Sequence, residues 1–224
     1  MSRSIRTLSS VILLAASAGP LAACGSPQYT YVKNSGQQTY FKVPAGWHKI
    51  DAKPIDPAVT GDHPDSQLAK ARGMWSVAYD ADVHPTADHL LSLISEEPII
   101  YAGVYHLTPD EHDAYSLNQL RDSFLPVTDS ARQAASARAQ GQSLPKVERL
   151  VDQELTPGGG LRGIREVYNY VLPIGGVQTF DLTAYLSDEG QVHLMLLHCS
   201  ANCYRSRAKE FDSIVTSFTV RKQT

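Results

Sequence analysis

The chain has 224 residues, with 20 Lys+Arg against 23 Asp+Glu and three cysteines. An apolar share of 42% with 19% charged residues is the composition of a globular chain and excludes both a disordered segment and a coiled coil. A formal net charge of −3 offers no basic surplus to neutralise phosphates, so nucleic acid is excluded as a partner, and the length suits one well-buried domain.

Residues 1–24 read MSRSIRTLSSVILLAASAGPLAAC. Arg3 and Arg6 form a short basic region, followed from Val11 to Ala18 by an apolar and small-residue stretch. That stretch is too short to span a bilayer, which takes ~20 apolar residues. It ends in Leu21-Ala22-Ala23-Cys24-Gly25, which resembles the bacterial lipoprotein signal of a Leu, two small residues and a Cys. Small side chains at Ala22 and Ala23 let the backbone enter a peptidase cleft, and Cys24 supplies the thiol that takes diacylglycerol. An ordinary secretory signal with an accidental cysteine fits less well, because no A-x-A-like site is well placed. The resemblance implies a signal peptide over 1–23 and a lipidated tether over 24–38. Loss of Arg3 and Arg6 leaves a mature chain of 201 residues with a formal charge of −5. Two acyl chains anchor a protein stably where one does not. The expected location is the extracytoplasmic face of the cell membrane, with the bilayer as a partner through acylated Cys24.

Within the tether, Tyr29-Thr30-Tyr31-Val32 is either an edge strand or a spacer. Residues 39–43, Thr-Tyr-Phe-Lys-Val, are β-branched and aromatic and predict a strand stopped by Pro44-Ala45-Gly46. The segment 51–72 carries Pro54, Pro57 and Pro64 and reads as a long loop or a broken helix around 66–71. A strand over 74–79, a short helix over 87–94 and a strand over 99–106 follow. Ser116-Leu117-Asn118-Gln119 has capping-box spacing and predicts a helix over 116–125, ended by Pro126. Residues 130–143, SARQAASARAQGQS, can bury little area and read as a solvated helix or a mobile loop.

The last third is more regular. Strands are predicted over 146–155, 161–172, 177–186 and 192–198, separated by short Gly-bearing turns, which makes an antiparallel meander. In the third of these, Phe180, Leu182, Ala184 and Leu186 alternate with Asp181, Thr183, Tyr185 and Ser187. The fourth is apolar on both faces, with Val192, Leu194 and Leu196 opposite Met195 and Leu197, and so must be covered on both. Tyr204, Arg207, Ala208, Phe211, Ile214 and Val215 recur at helical spacing and predict an amphipathic helix over 204–216. A short strand over 217–220 closes the chain. The fold class is therefore α+β: an antiparallel sheet of about six to seven strands with helices on both faces.

The two ends of this unit carry a family resemblance. Tyr40-Phe41-Lys42-Val43-Pro44-Ala45-Gly46-Trp47 is an aromatic-x-Val-Pro-x-Gly-Trp strand and turn, and 211–220 is an amphipathic helix running into Ser-Phe-x-Val. Together they resemble the PsbP/Mog-type sandwich, and in particular the LpqN-like lipoproteins of high-GC Gram-positive bacteria. The resemblance covers 39–221 and implies a single sandwich domain. It also implies a non-enzymatic binding or assembly module, with an envelope protein or small envelope ligand as partner.

Cys199 and Cys203 are the two thiols left once Cys24 is acylated, and beyond the cytoplasmic membrane a disulfide between them is the economical reading. The alternative is a copper or redox pair with His198 as an extra ligand. Eight histidines invite a metal reading, at His84 and His89 near Asp80, Asp82 and Asp88, and at His112 within 110–113. Neither group has zinc-helix or EF-hand spacing, so solvated loops are expected, with no metal and no cofactor. No G-x-S-x-G occurs and Pro157-Gly158-Gly159-Gly160 lacks the Lys-Ser/Thr of a phosphate loop, so no enzyme class is indicated; an envelope hydrolase with unaligned catalytic groups is the rival. Trp47 and Trp75 are candidate ligand contacts, although a Trp beside a strand-ending turn is more often core. Tyr29, Tyr31, Tyr101 and Tyr105 are further candidate contacts, with sheet propensity the simpler account.

Overall fold

A computed structural model describes residues 27–63, 65–173 and 175–221. The 1–23 segment and Cys24 lie outside the described residues. Strands β1 (Tyr29–Asn34), β2 (Thr39–Pro44) and β10 (Thr219–Val220) form a small sheet in the order β1-β2-β10. Strands β3 (His48–Ile50), β4 (Trp75–Asp80), β5 (Ile99–His106), β6 (Lys146–Gly158), β7 (Leu161–Val171), β8 (Val177–Ser187) and β9 (Gln191–Ser200) form a seven-stranded sheet in the order β3-β4-β5-β9-β8-β7-β6. Every pairing in it is antiparallel. The β6–β9 run is the expected meander, and β9 then pairs with β5 to join the two halves of the chain.

The strand β9 sits near the middle of this sheet because it is apolar on both faces. Its Val192, Leu194 and Leu196 join Phe180 and Leu182 of β8 on one face. There the sheet is covered by α1 (Asp56–Thr60), α3 (Asp88–Leu91) and α5 (Leu117–Arg121), and Leu90 and Leu120 are wholly buried beneath it. On the other face, Met195, Leu197 and Cys199 meet Phe41 and Val43 of β2 and Phe211 and Ile214 of α8 (Ala208–Val215). Each fully buried Leu or Ile is worth about 1.5–3 kcal/mol over exposure, so a strand buried on both faces is held from both sides.

Several expectations are corrected. The strand over 39–43 is not part of the large sheet but the centre of the small one, which shares the second face with α8. The Tyr-rich segment of the 24–38 tether is β1, paired with β2 from Tyr29↔Pro44 to Asn34↔Thr39, so ordered structure begins before residue 39. The helix over 116–125 stops at Arg121: Asp122 accepts from the Val127 and Thr128 amides at 2.9 Å each and turns the chain. Its capping box is present, with Ser116 and Gln119 bonded reciprocally. The helix over 204–216 is two, α7 (Ala201–Ser206) and α8, broken at Arg207 with φ −112° and ψ 16°. There the guanidinium turns to Glu210 at 2.8 and 3.0 Å and lies over Trp47, 5.6 Å from its ring centre. Residues 51–72 hold α1 and α2 (Gln67–Ala71), and α6 (Asp129–Arg138) is a helix with no buried side chain. Three-residue β3 is an edge strand that periodicity gives no means to detect.

Candidate functional site

Cys199 and Cys203 form a disulfide with their Cα atoms 6.1 Å apart, tying the end of β9 to the first turn of α7. Ser200 caps that helix by accepting from the Cys203 amide at 3.3 Å, so the strand-to-helix corner is fastened twice. His198 cannot complete a copper or redox site with them. Successive residues of a strand face opposite ways, and His198 lies on the α1/α3/α5 face, stacked on Phe180 at 4.2 Å, whereas Cys199 belongs to the core on the other face. Neither ring nitrogen of His198 has a hydrogen-bond partner, and burial pushes its pKa down to about 3.

Of the two tryptophans, Trp47 is buried in the second core, under the Arg207 guanidinium. Trp75 packs against the same core while lining a shallow hollow of about 390 Å³ with Lys49, Asp51 and Lys53. Tyr101 and Tyr105 are core residues, corrected from candidate contacts: the Tyr101 hydroxyl donates to Asp56 at 2.8 Å, and that of Tyr105 meets Tyr115 at 3.1 Å. Tyr29 lies under the Lys42 ammonium at 4.3 Å, while Tyr31 is exposed.

The histidine-rich loops have structural roles. Asp80, wholly buried at the end of β4, accepts from the amides of Asp82 and Thr86 at 2.9 Å each and from His89 Nδ1 at 2.7 Å, which pins the loop into α3. His84 is exposed. Among the described residues no three His, Cys, Asp or Glu side chains come together in a way that could hold a metal ion. The acidic stretch 110–113, expected as a loop, is helix α4 (Pro109–Ala114) with its own capping box between Thr108 and Glu111. The Thr-x-x-Glu signature for it stands in the sequence. Glu111 also takes Arg72 bidentately at 2.9 and 2.7 Å, and Asp62 takes the Nε of the same guanidinium. The Arg72 guanidinium holds the Glu111 carboxyl down at about 2.

A cavity with several polar side chains on its walls lies where the small sheet meets the β8–β9 hairpin. Its volume is about 300 Å³, and it is lined by Gln38, Leu161, Ser187, Glu189, Gln191 and His193, together with Gly159 and Val220. Gln38 enters β2 from a tight turn at φ +55°, a conformation non-glycine residues seldom adopt. His193 is 1% exposed, and burial, with His106 nearby, lowers its pKa to about 4, so the ring is neutral at pH 7. Its Nδ1 lies 3.0 Å from the Thr39 hydroxyl, which is itself 2.9 Å from the Gln37 carbonyl. A carbonyl only accepts and a hydroxyl has one proton, so both contacts are made when Thr39 donates to Gln37 and His193 Nδ1–H donates to Thr39. The Nε2 lone pair is then left as an acceptor. Nothing in the sequence marks His193: its pairing with Thr39 spans 154 residues. Its place opposite Tyr185 on the covered face of β9 is a product of sheet register.

No family model and no curated protein matches the chain. Among solved structures it is similar to the cyanobacterial PsbP protein CyanoP from Synechocystis sp. PCC 6803, at a TM-score of 0.50 and 13% identity over 91% of this chain and 99% of that one. It is also matched by a protein of unknown function from Pseudomonas aeruginosa, PA94, at a TM-score of 0.38 and 8% identity over 88% of this chain and 100% of that one. With its seven-stranded antiparallel sheet and helices on both faces, the chain has a PsbP-like α+β fold.

Proposed function

We propose that this chain is a lipid-anchored protein of the extracytoplasmic membrane face, and that its sandwich binds a small envelope ligand or envelope protein without catalysing a reaction. The observation that carries the reading is the Cys199–Cys203 disulfide in a chain whose leader ends Leu21-Ala22-Ala23-Cys24. Disulfides persist in oxidising compartments. Pairing these two thiols also leaves Cys24 as the one cysteine for acylation. The cavity beside His193, at about 300 Å³, is at the small end of ligand-binding pockets. Thr39, the hydroxyl that His193 touches, gives its proton to a backbone carbonyl rather than to the imidazole, which is the opposite of an activated nucleophile.

Fractionation tests the anchor. The wild-type protein should sediment with membranes and Cys24→Ala should appear in the medium; a Cys24→Ala protein that stays with membranes overturns the lipoprotein reading. Crosslinking the anchored protein in its own envelope then identifies what the sandwich touches.

A further inference from the structure

The hydrogen-bonding polarity of the His193 cavity restricts what it can hold. His193 lines the cavity with Nε2 left as an acceptor, because Nδ1–H is fixed on Thr39. Gln191 is constrained in the same sense. Its Nε2 amide donates to Gln37 Oε1 at 3.3 Å and to His106 Nε2 at 3.1 Å, which occupies both amide protons and leaves Oε1 to accept. Glu189, also on this wall, is a carboxylate and accepts only. Ser187 accepts from the Gln191 backbone amide at 3.2 Å, which leaves its hydroxyl proton free to donate. No lysine or arginine is among the described lining residues; the donors there are neutral, the Gln38 carboxamide and the Ser187 hydroxyl, and the one side-chain charge is the negative charge of Glu189.

We infer that this cavity binds a primary ammonium group, whose three N–H donors meet His193 Nε2, Gln191 Oε1 and the Glu189 carboxylate. The cationic class follows from Glu189 and from the absence of a counter-charge on the described walls; the tripod of donors follows from three acceptors. Leu161 and Val220 leave an apolar side for the carbon skeleton that carries the amine. The inference rests on reading the domain as a ligand-binding module, and it names the ligand's chemistry.

The test is a titration of the purified full-length protein, isotope-labelled at histidine, followed through the His193 ring signals by NMR. Methylammonium chloride is the probe, with tetramethylammonium chloride and sodium acetate as controls. Methylammonium should shift the His193 signals saturably, tetramethylammonium should not, and Glu189→Gln should weaken binding by about tenfold, the loss of one charge-assisted hydrogen bond. Glu189 is exposed in a turn, so this variant keeps the fold. Three results each overturn the inference: no saturable shift with methylammonium, equal binding of tetramethylammonium, or tighter binding of acetate. The Cys24→Ala fractionation is blind to this cavity, so failure of the anchor reading and failure of the ammonium site are separate outcomes.

Discussion

Replacing His198 with leucine should raise stability at neutral pH and remove a large part of the protein's sensitivity to mild acid. The imidazole is wholly buried, stacked on Phe180, and both its nitrogens lack partners. Each unpaired buried polar atom costs about 1–3 kcal/mol, while leucine has a similar volume and needs no partner, so a gain of about 1–2 kcal/mol at pH 7.5 is expected after the lost ring stacking is deducted. The acid response follows from linkage. The folded-state pKa of His198 is about 3 against an ordinary 6.5, so below pH 6.5 the unfolded chain binds a proton that the folded chain refuses, and stability falls as pH falls. Between pH 7.5 and 5 that is about 2 kcal/mol, from 1.36 kcal/mol per pH unit below 6.5. His193, lowered to about 4, adds a similar loss over the same window. Asp56 and Glu166, whose carboxyls burial pushes up, act in the opposite sense wherever they titrate. Urea denaturation followed by tryptophan fluorescence at pH 7.5 and 5.0 measures both effects. Wild type should lose about 2 kcal/mol more than His198→Leu across this window. Equal losses in the two proteins would falsify the assignment, as would a leucine variant less stable at neutral pH.

Two other stability experiments probe the fastenings of the fold. Cys203→Ser opens a closed loop of about five residues and should cost about 2 kcal/mol by chain entropy; urea midpoints with and without reductant check it, and the variant should no longer respond to reductant. Glu111→Gln removes the bidentate carboxylate partner of Arg72, whose guanidinium stays buried with Asp62 as its one carboxylate and the His106 carbonyl at 3.1 Å. The Glu111 carboxyl is about a third exposed, so solvent screening limits the expected loss to about 1–2 kcal/mol at pH 7. Because its folded pKa of about 2 lies below the ordinary 4.5, this contribution is present above pH 4.5 and fades as pH falls toward 2. A denaturation series from pH 7 to 3 should therefore narrow the gap between wild type and variant by roughly half at the acid end; a constant gap refutes the pairing as its source.

Much of the sheet was legible because its strands obey local rules. The Gly-bearing turns marked the β6–β9 hairpins, and the two-sided apolar pattern of β9 placed it inside the sandwich before any partner was known. The capping-box spacing at Ser116 and Gln119 located the start of α5, whereas its early end came from Asp122 bonding forward to residues 127 and 128. The break at Arg207 was hidden for a related reason: the apolar spacing runs unbroken through it, and the bend depends on what the guanidinium finds across the fold, at Trp47. Tyr101 and Tyr105 were ambiguous as contacts because aromatic content gives sheet propensity but not which sheet, or how deep.

By itself, then, the sequence determined the α+β class, the meander and the candidate pairing of Cys199 with Cys203. Each of these is written in neighbours a few residues apart, within the range of turn chemistry, strand period and short-loop closure. Only the tertiary structure decided that Thr39–Pro44 belongs to a second sheet, that His198 faces away from the disulfide, and that His193, Gln191 and Glu189 share one cavity. Those outcomes depend on register and on contacts between residues as far apart as Thr39 and His193, and a one-residue slip in β9 would turn every one of its side chains to the opposite face.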